Sequence, residues 1–231
     1  MTLTQEELQQ VLHPRPCRFY PSVGSTNDLA KAWLKEGAPT GSVIVADEQR
    51  EGRGRKGRVW YTPPHVALAI SVILMPNQQF LHRVSMLGAV AVAELCEHVG
   101  APNVGIKWPN DVQIHGRKVS GILPEAVWDG EKFLGVVLGI GVNVRADFSN
   151  TELAQIAISL EPVANYPLKR TTLIHYLLQR IDYWSQFIGD IRLFNTWKNK
   201  LNTLGKPVRL EHGGQIIEGV AENVDENGAL S

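Results

Sequence analysis

Apolar and polar residues recur with two different periods along this chain, and the changes of period divide it into elements. From Leu3 to Leu12 the apolar positions share one face of a short helix, which Pro14 and Pro16 end. Cys17 to Ser22 reads as a strand. Ser25-Thr26-Asn27-Asp28 then offers helix-cap residues, and Leu29, Ala30, Trp33 and Leu34 line one helical face up to Gly37. Ser42 to Gln49 and Val66 to Met75 predict strands, the second apolar enough to be central. Leu81 to Val99 is small and apolar around most of its circumference, so it predicts a helix packed across a sheet. Further strands are predicted at Val112 to His115, Lys118 to Glu125 and Phe133 to Val144, with turns at 115–117 and Asp129-Gly130. Pro124 stands inside the second of these. Proline has no N–H to give a ladder, so that strand is expected to be an edge, or bulged, at this point.

Thr171 to Phe187 and Ile191 to Leu201 read as helices whose aromatic residues pack as core. After Gly205 the texture changes to short strands, Pro207 to Leu210 and Gln215 to Val224, around a Gly213-Gly214 turn. The pattern predicts an α+β fold: a mixed, largely antiparallel sheet flanked by helices. It also predicts two domains, 1–203 and 204–231. The second has too few strands to bury itself and is expected to be incomplete.

Composition narrows the classes. With 231 residues and 44% hydrophobic content, the chain can build one large core. Formal net charge is zero, which argues against a dedicated nucleic-acid binder. Cys17 and Cys96 lie far apart without metal-ligand spacing and read as reduced structural thiols, pointing to a cytoplasmic location. The first residues lack an apolar signal region, and the longest apolar run is too short to span a bilayer, so no membrane role is expected.

The chemistry centres on Gly52-Arg53-Gly54-Arg55-Lys56-Gly57-Arg58, where three glycines interleave with four cations. Glycine lets backbone N–H groups approach a ligand closely, and the arginine fork fits phosphate and carboxylate oxygens. Such a loop suits an anion. The plain alternative is a solvated basic turn or an unspecific nucleic-acid contact. Two phosphate motifs fail on context. The glycines match G-x-G-x-x-G, but Arg58-Val59-Trp60-Tyr61-Thr62-Pro63-Pro64 is no helix start, and no acidic residue occurs between Glu51 and Glu94. A phosphate loop needs Lys and Ser/Thr where Arg58 and Val59 stand.

Taken with Gly24-Ser25-Thr26-Asn27, Gln49, Trp60, Lys107-Trp108-Pro109-Asn110-Asp111, Lys118-x-x-Gly121-Ile-Leu-x-Glu125 and Gly139-Ile-Gly-Val-Asn143, the loop resembles that of the biotin protein ligases. The resemblance covers roughly residues 20 to 225. It implies a class II synthetase-like biotin/lipoate ligase fold with a small C-terminal SH3-like β domain. It also implies a two-step reaction that uses ATP, biotin and Mg²⁺. Biotin is activated as biotinyl-5′-AMP, then passed to a lysine of a biotin carboxyl carrier protein. No DNA-binding domain precedes Pro14, so the monofunctional type is expected, as a monomer or homodimer.

The resemblance further implies roles. Lys118 and Arg55 would be catalytic. Ser25, Thr26, Asn27, Gln49, Gly52, Arg53, Gly54, Arg55, Lys118 and Gly121 would bind biotin, Gly121 by letting it lie against the backbone. Arg53, Arg55, Arg58, Trp60, Lys107, Asn110, Asp111, Lys118 and Asn143 would hold ATP and the adenylate, with Trp60 and Asn143 at the adenine end and Mg²⁺ arriving with ATP near Asp111. Two other readings stay open: a lipoate or octanoate ligase on the same fold, and a non-catalytic nucleotide- or nucleic-acid-binding module.

Overall fold

Ala67–Leu74, the most apolar predicted strand, is buried along its whole length, as a strand covered on both faces must be. It lies within a seven-stranded sheet in a computed structural model that describes residues 2–212 and 214–231. In chain order the elements are α1 (Gln5–Leu12), β1 (Cys17–Val23), α2 (Thr26–Lys35), β2 (Val43–Gln49), β3 (Ala67–Leu74) and α3 (Val84–His98). Then come β4 (Val104–Lys107), β5 (Asp111–Ile114), β6 (Arg117–Asp129) and β7 (Lys132–Asn143). Helices α4 (Leu160–Ala164), α5 (Arg170–Ser185) and α6 (Ile191–Asn199) follow, and β8 (Pro207–His212) and β9 (Gln215–Val220) pair as a separate two-stranded sheet. The large sheet runs β1-β2-β3-β7-β6-β5-β4, with only β1 and β2 parallel. The mixed, largely antiparallel α+β expectation holds. Among the described residues no helix is long and apolar enough to cross a membrane.

The period-2 pattern assigns the two faces. Leu68, Ile70 and Val72 of β3 share the main core with Leu138, Ile140 and Val142 of β7 and with α3. Helix α3 is apolar all round because α5 and α6 cover the side turned away from the sheet. Replacing a fully buried Leu95 by alanine there would cost about 2–5 kcal/mol. The opposite face carries α2 at one end and small residues elsewhere: Ser71 of β3, Gly121 of β6, and Gly139 and Gly141 of β7. Small side chains leave room above this half of the sheet.

Several boundaries differ from the sequence reading. The helix expected from Leu81 begins at Val84, after a 3-10 stretch over Gln78–Arg83. Val104–Lys107 forms an edge strand too short for periodicity to reveal, and α4 was likewise unassigned. The strand expected over Gln215 to Val224 stops at Val220, and Gly213 of the expected turn lies outside the described residues. Pro124 pairs with Leu138 of β7, while the β5 partner ends at Ser120, so its missing N–H faces a locally free edge as expected.

One irregularity matters for the site. Between Val112 and Gln113 of β5 the register on β6 steps from Ser120 to Lys118, which inserts an extra residue. Simple alternation from Gly121 and Leu123 would put residue 119 on the open face. The bulge instead sends Val119 into the core and turns Lys118 to the open side.

Candidate active site

Above the small residues lies a cavity of about 930 Å³, within the range of small-molecule sites. The start of α2 closes one end. The Gly/Arg loop and Trp60 form the roof, and the segment from Lys107 to Asp111 stands at the far side with Lys118. Every candidate residue from the sequence except Gly52 lines it. Residues far apart in the chain therefore meet in one place.

The α2 end is buried and internally bonded. The Thr26 N–H and hydroxyl both donate to Gln49 Oε1, at 2.8 and 2.9 Å. Ser71 Oγ lies 2.8 Å from Thr26 Oγ1 and 2.6 Å from Asn27 Oδ1. Asn27 Nδ2 donates to Glu125 at 2.5 Å and to the Leu123 carbonyl at 3.3 Å. Both of its donors are thus spent within the protein, so Asn27 braces the pocket wall that it lines. A Cβ at Gly139 would fall well inside contact with the Asn27 amide, so glycine is required there. Ser25 differs from its neighbours. It occupies the N-cap position with extended backbone, yet its hydroxyl makes no cap hydrogen bond. The capping explanation for this serine fails, and the residue lines the cavity.

The loop is a small hairpin. The Trp60 N–H donates to the Gly52 carbonyl at 2.8 Å, Gly54 N–H to the Arg58 carbonyl at 2.7 Å, and Arg55–Gly57 makes one 3-10 turn. Gly52 is a correction: it lies off the cavity, and a Cβ there would clash with the Trp60 carbonyl, so it serves the hairpin base. Arg53 is another. It borders the cavity, but its terminal nitrogens form a two-pronged pair with Asp28 at 2.8 and 2.6 Å, so these donors are turned away from an adenylate. Arg55 reaches Asn110 Oδ1 at 3.3 Å, and Arg58 is exposed at the rim. Gly121 lines the cavity, and the Trp60 ring lies within 3.0 Å of an added Cβ there and closer still at Gly141. Both glycines leave room for the indole. Trp60 Nε1 is buried without a hydrogen-bond partner among the described residues.

At the far side Lys118 Nζ donates to Asp111 Oδ1 at 2.7 Å and stands 5.7 Å over the Trp60 ring. Asn110, almost fully buried, donates to the Ile122 carbonyl at 2.8 Å, which fixes its Oδ1 toward Arg55. Trp108 pins this segment by donating from Nε1 to the Gly228 carbonyl at 2.8 Å. Asn143 spends its amide hydrogens on the Ile158 and Lys118 carbonyls at 3.2 and 3.5 Å, leaving only Oδ1 for an adenine amine. Among the described residues no three His, Cys, Asp or Glu side chains converge on a metal site. The Asp111 carboxylate already answers Lys118, so a magnesium ion would have to bring most of its oxygen ligands with it.

Sequence reasoning missed three contributors. Ser71 was legible as the lone hydroxyl in an apolar strand, on the same parity as Ala67 and Ala69. Phe148, Leu153, Ile156 and Ala157, and Arg209 to Glu211, line the cavity, and neither group carries a motif signal.

Residues 19–143 match the Biotin/lipoate A/B protein ligase family, and residues 203–231 match the Biotin protein ligase C terminal domain. The chain belongs to the biotin/lipoate protein ligase family. It is 32% identical over 222 residues to the bifunctional ligase/repressor BirA of Bacillus subtilis, covering 92% of this chain and 67% of that protein. It is 32% identical to the biotin–[acetyl-CoA-carboxylase] ligase of Mycobacterium tuberculosis, covering 90% of this chain and 79% of the relative. Among solved structures, the Aquifex aeolicus biotin protein ligase in complex with biotin and ATP superposes with a TM-score of 0.81 at 27% identity, covering 93% of this chain and 90% of that one. The chain thus spans about two thirds of the repressor-type relative and most of the shorter ligases.

Proposed function

We propose that this ligase-family chain activates biotin with ATP and transfers it to a lysine of a biotin carboxyl carrier protein. The observation that carries the reading is a single cavity with a preset polar end, a cationic end, and a glycine–arginine roof between them. The Mycobacterium tuberculosis relative is named a biotin–[acetyl-CoA-carboxylase] ligase, and the Aquifex aeolicus neighbour is a biotin protein ligase in complex with biotin and ATP.

In the first step a biotin carboxylate oxygen attacks the α-phosphorus of ATP. The bond to the bridging oxygen of the β-phosphate breaks and pyrophosphate leaves. Both reactants are anions, so stabilisation falls to cations aimed at the crowded phosphorus. Lys118 takes this role, held in aim by Asp111 and by the bulge beneath it. Arg55 supports the phosphate from the loop, and Arg58 and Lys107 add positive charge at the rim. A magnesium ion arriving with the nucleotide would withdraw charge from its phosphate oxygens. In the second step the ε-nitrogen of the acceptor lysine attacks the acyl carbon of the mixed anhydride. An amide forms, AMP leaves, and the amine's proton passes to solvent. The ureido end of biotin lies at the α2 end, where the Ser25 hydroxyl is available and the Gln49 amide keeps one N–H after Nε2 donates to Thr62 Oγ1 at 3.5 Å. Trp60 shields the anhydride from water. Residues 204–231 form the second unit of the enzyme, contributing β8 to the cavity wall.

The test is biotin-dependent exchange of labelled pyrophosphate into ATP, followed by transfer of labelled biotin to an apo carrier protein. Exchange that needs biotin supports the reading. Exchange that needs lipoate instead would move the chain to the other branch of its family.

A further inference from the structure

Four charged side chains, Arg53 at the cavity border and Asp28, Lys31 and Glu125 beyond it, join three elements that the sequence does not link. Arg53 of the glycine–arginine loop forms its two-pronged pair with Asp28, in the first turn of α2. Lys31, one turn on, bonds Asp28 at 2.9 Å and Glu125 of β6 at 3.0 Å. Glu125 in turn accepts from Asn27 Nδ2, inside the pocket wall. The row alternates in sign, Arg53⁺, Asp28⁻, Lys31⁺, Glu125⁻, and ends on a pocket amide. A solvated helix face would show isolated exposed charges. Here Lys31 and Glu125 are each only 28% exposed, and each has more than one partner.

The loop has few other side-chain anchors. Arg55 meets Asn110 at 3.3 Å and Trp60 rests on the sheet, both inside the cavity where a ligand would press on them. Arg53 borders the cavity too, but its partner Asp28 lies off the lining, so this anchor can hold the roof whichever ligand occupies the space below. The Asp28 carboxyl is held down at about 2 by the Arg53 guanidinium first, with Lys31 adding to it, so it stays charged at any working pH.

We propose that Asp28, supported by Lys31 and Glu125, is a positioning residue that holds the loop over the adenylate, coupling roof closure to the pocket wall through Asn27. The inference rests on the reading under Proposed function for its consequence, but its geometry can be tested without any substrate. Exposed ion pairs contribute up to about 1 kcal/mol, which corresponds to about fivefold in an opening equilibrium.

The experiment compares wild type, Asp28→Asn and Asp28→Glu, first as ligand-free full chains by hydrogen exchange of the amides of residues 52–60. Asp28→Asn should exchange these amides about fivefold faster, and Asp28→Glu should restore much of the protection. Raising salt should accelerate wild type and leave Asp28→Asn unchanged, because only the charged pair is screened. With biotin and ATP, Asp28→Asn should release free adenylate several-fold faster per biotin transferred to carrier. Equal exchange in wild type and Asp28→Asn overturns the proposal, whatever the enzyme does. Faster exchange with unchanged adenylate retention overturns the role in catalysis. If wild type makes no adenylate from biotin, the functional reading falls, and the exchange comparison still decides the contact.

Discussion

The two ends of the cavity are built on opposite plans. At the α2 end, Thr26, Asn27, Gln49 and Ser71 are buried or nearly so and bond one another, and their geometry is complete before a ligand arrives. At the other end Arg55, Arg58 and Lys107 are exposed and sparsely bonded, and Lys118 has Asp111 as its ion partner. A neutral, hydrogen-bonding group such as a ureido ring is well served by the first plan, since unmatched buried polar atoms would reject a wrong shape. A polyphosphate is well served by the second, since cations that wait in water can be recruited by charge. The contrast predicts that mutations at the first end act through stability and recognition, and those at the second through rate.

Lys118→Ala should break the comparison most visibly. Loss of one stabilising cation at a reacting phosphate is expected to lower biotin-dependent pyrophosphate exchange by about 10²–10³-fold. Lys118 is part-exposed, so the melting temperature should barely move. A large fall in melting temperature would mean that the Lys118–Asp111 pair is structural and that the rate plan is misplaced.

Gly141→Ala comes next. Its Cβ would land on the Trp60 indole, so the ring or the strand must shift. Overpacking of this kind costs about 1–3 kcal/mol, or a few degrees in a chain of this size. Calorimetry should show that loss together with weaker adenylate retention, because Trp60 forms the roof. If Gly141→Ala melts like wild type, the indole does not rest where the structure puts it.

Much of this was open to reading in the sequence, for specific reasons. Strands β2, β3 and β7 announce themselves by apolar runs, and α2 by its 3.6-residue stripe. The motifs located the cavity because polar residues at the ends of such elements rarely cluster without use. Orientation was another matter. That Arg53 faces Asp28 and Arg55 faces Asn110 depends on a hairpin only a few residues long, and spacing in a G-R-G-R run treats the two alike. The bulge that turns Lys118 outward depends on pairing with a strand of only four residues. The bracing role of Asn27 stayed hidden because its partners Ser71 and Glu125 lie 44 and 98 positions away. Long-range partners of this kind leave no trace in local pattern.

Ser25 and Asn27 sharpen the contrast between neighbours at the α2 end. Asn27→Ala strips partners from Ser71, Glu125 and the Leu123 carbonyl, and should cost about 1–3 kcal/mol in urea unfolding. Ser25→Ala removes a hydroxyl that makes no cap bond, so stability should change by less than about 0.5 kcal/mol. The same change should raise the biotin KM by about tenfold, the worth of one hydrogen bond to ligand at the upper end of its range. The opposite pattern, with Ser25→Ala unstable and biotin KM unmoved, would return this serine to its role as a cap.

The smallest effect tests where the preset end stops. The Asp28 carboxyl is lowered from its ordinary value to about 2, first by its hydrogen bonds from Arg53 and then by Lys31. A carboxyl lowered by folding stabilises the native state above its unfolded value of about 4, and that stabilisation drains away as pH falls toward about 2. The melting-temperature difference between wild type and Asp28→Asn should therefore be flat from about pH 8 to pH 5 and shrink below about pH 4. Asp28 is about half exposed, so solvent screening keeps the plateau to a degree or two. The neighbouring pair of Lys31 with Glu125 is left in place by this substitution and sets the baseline. A difference that instead grows on acidification would mean that Arg53 leaves Asp28 in solution, and the roof would then belong wholly to the waiting, cationic end.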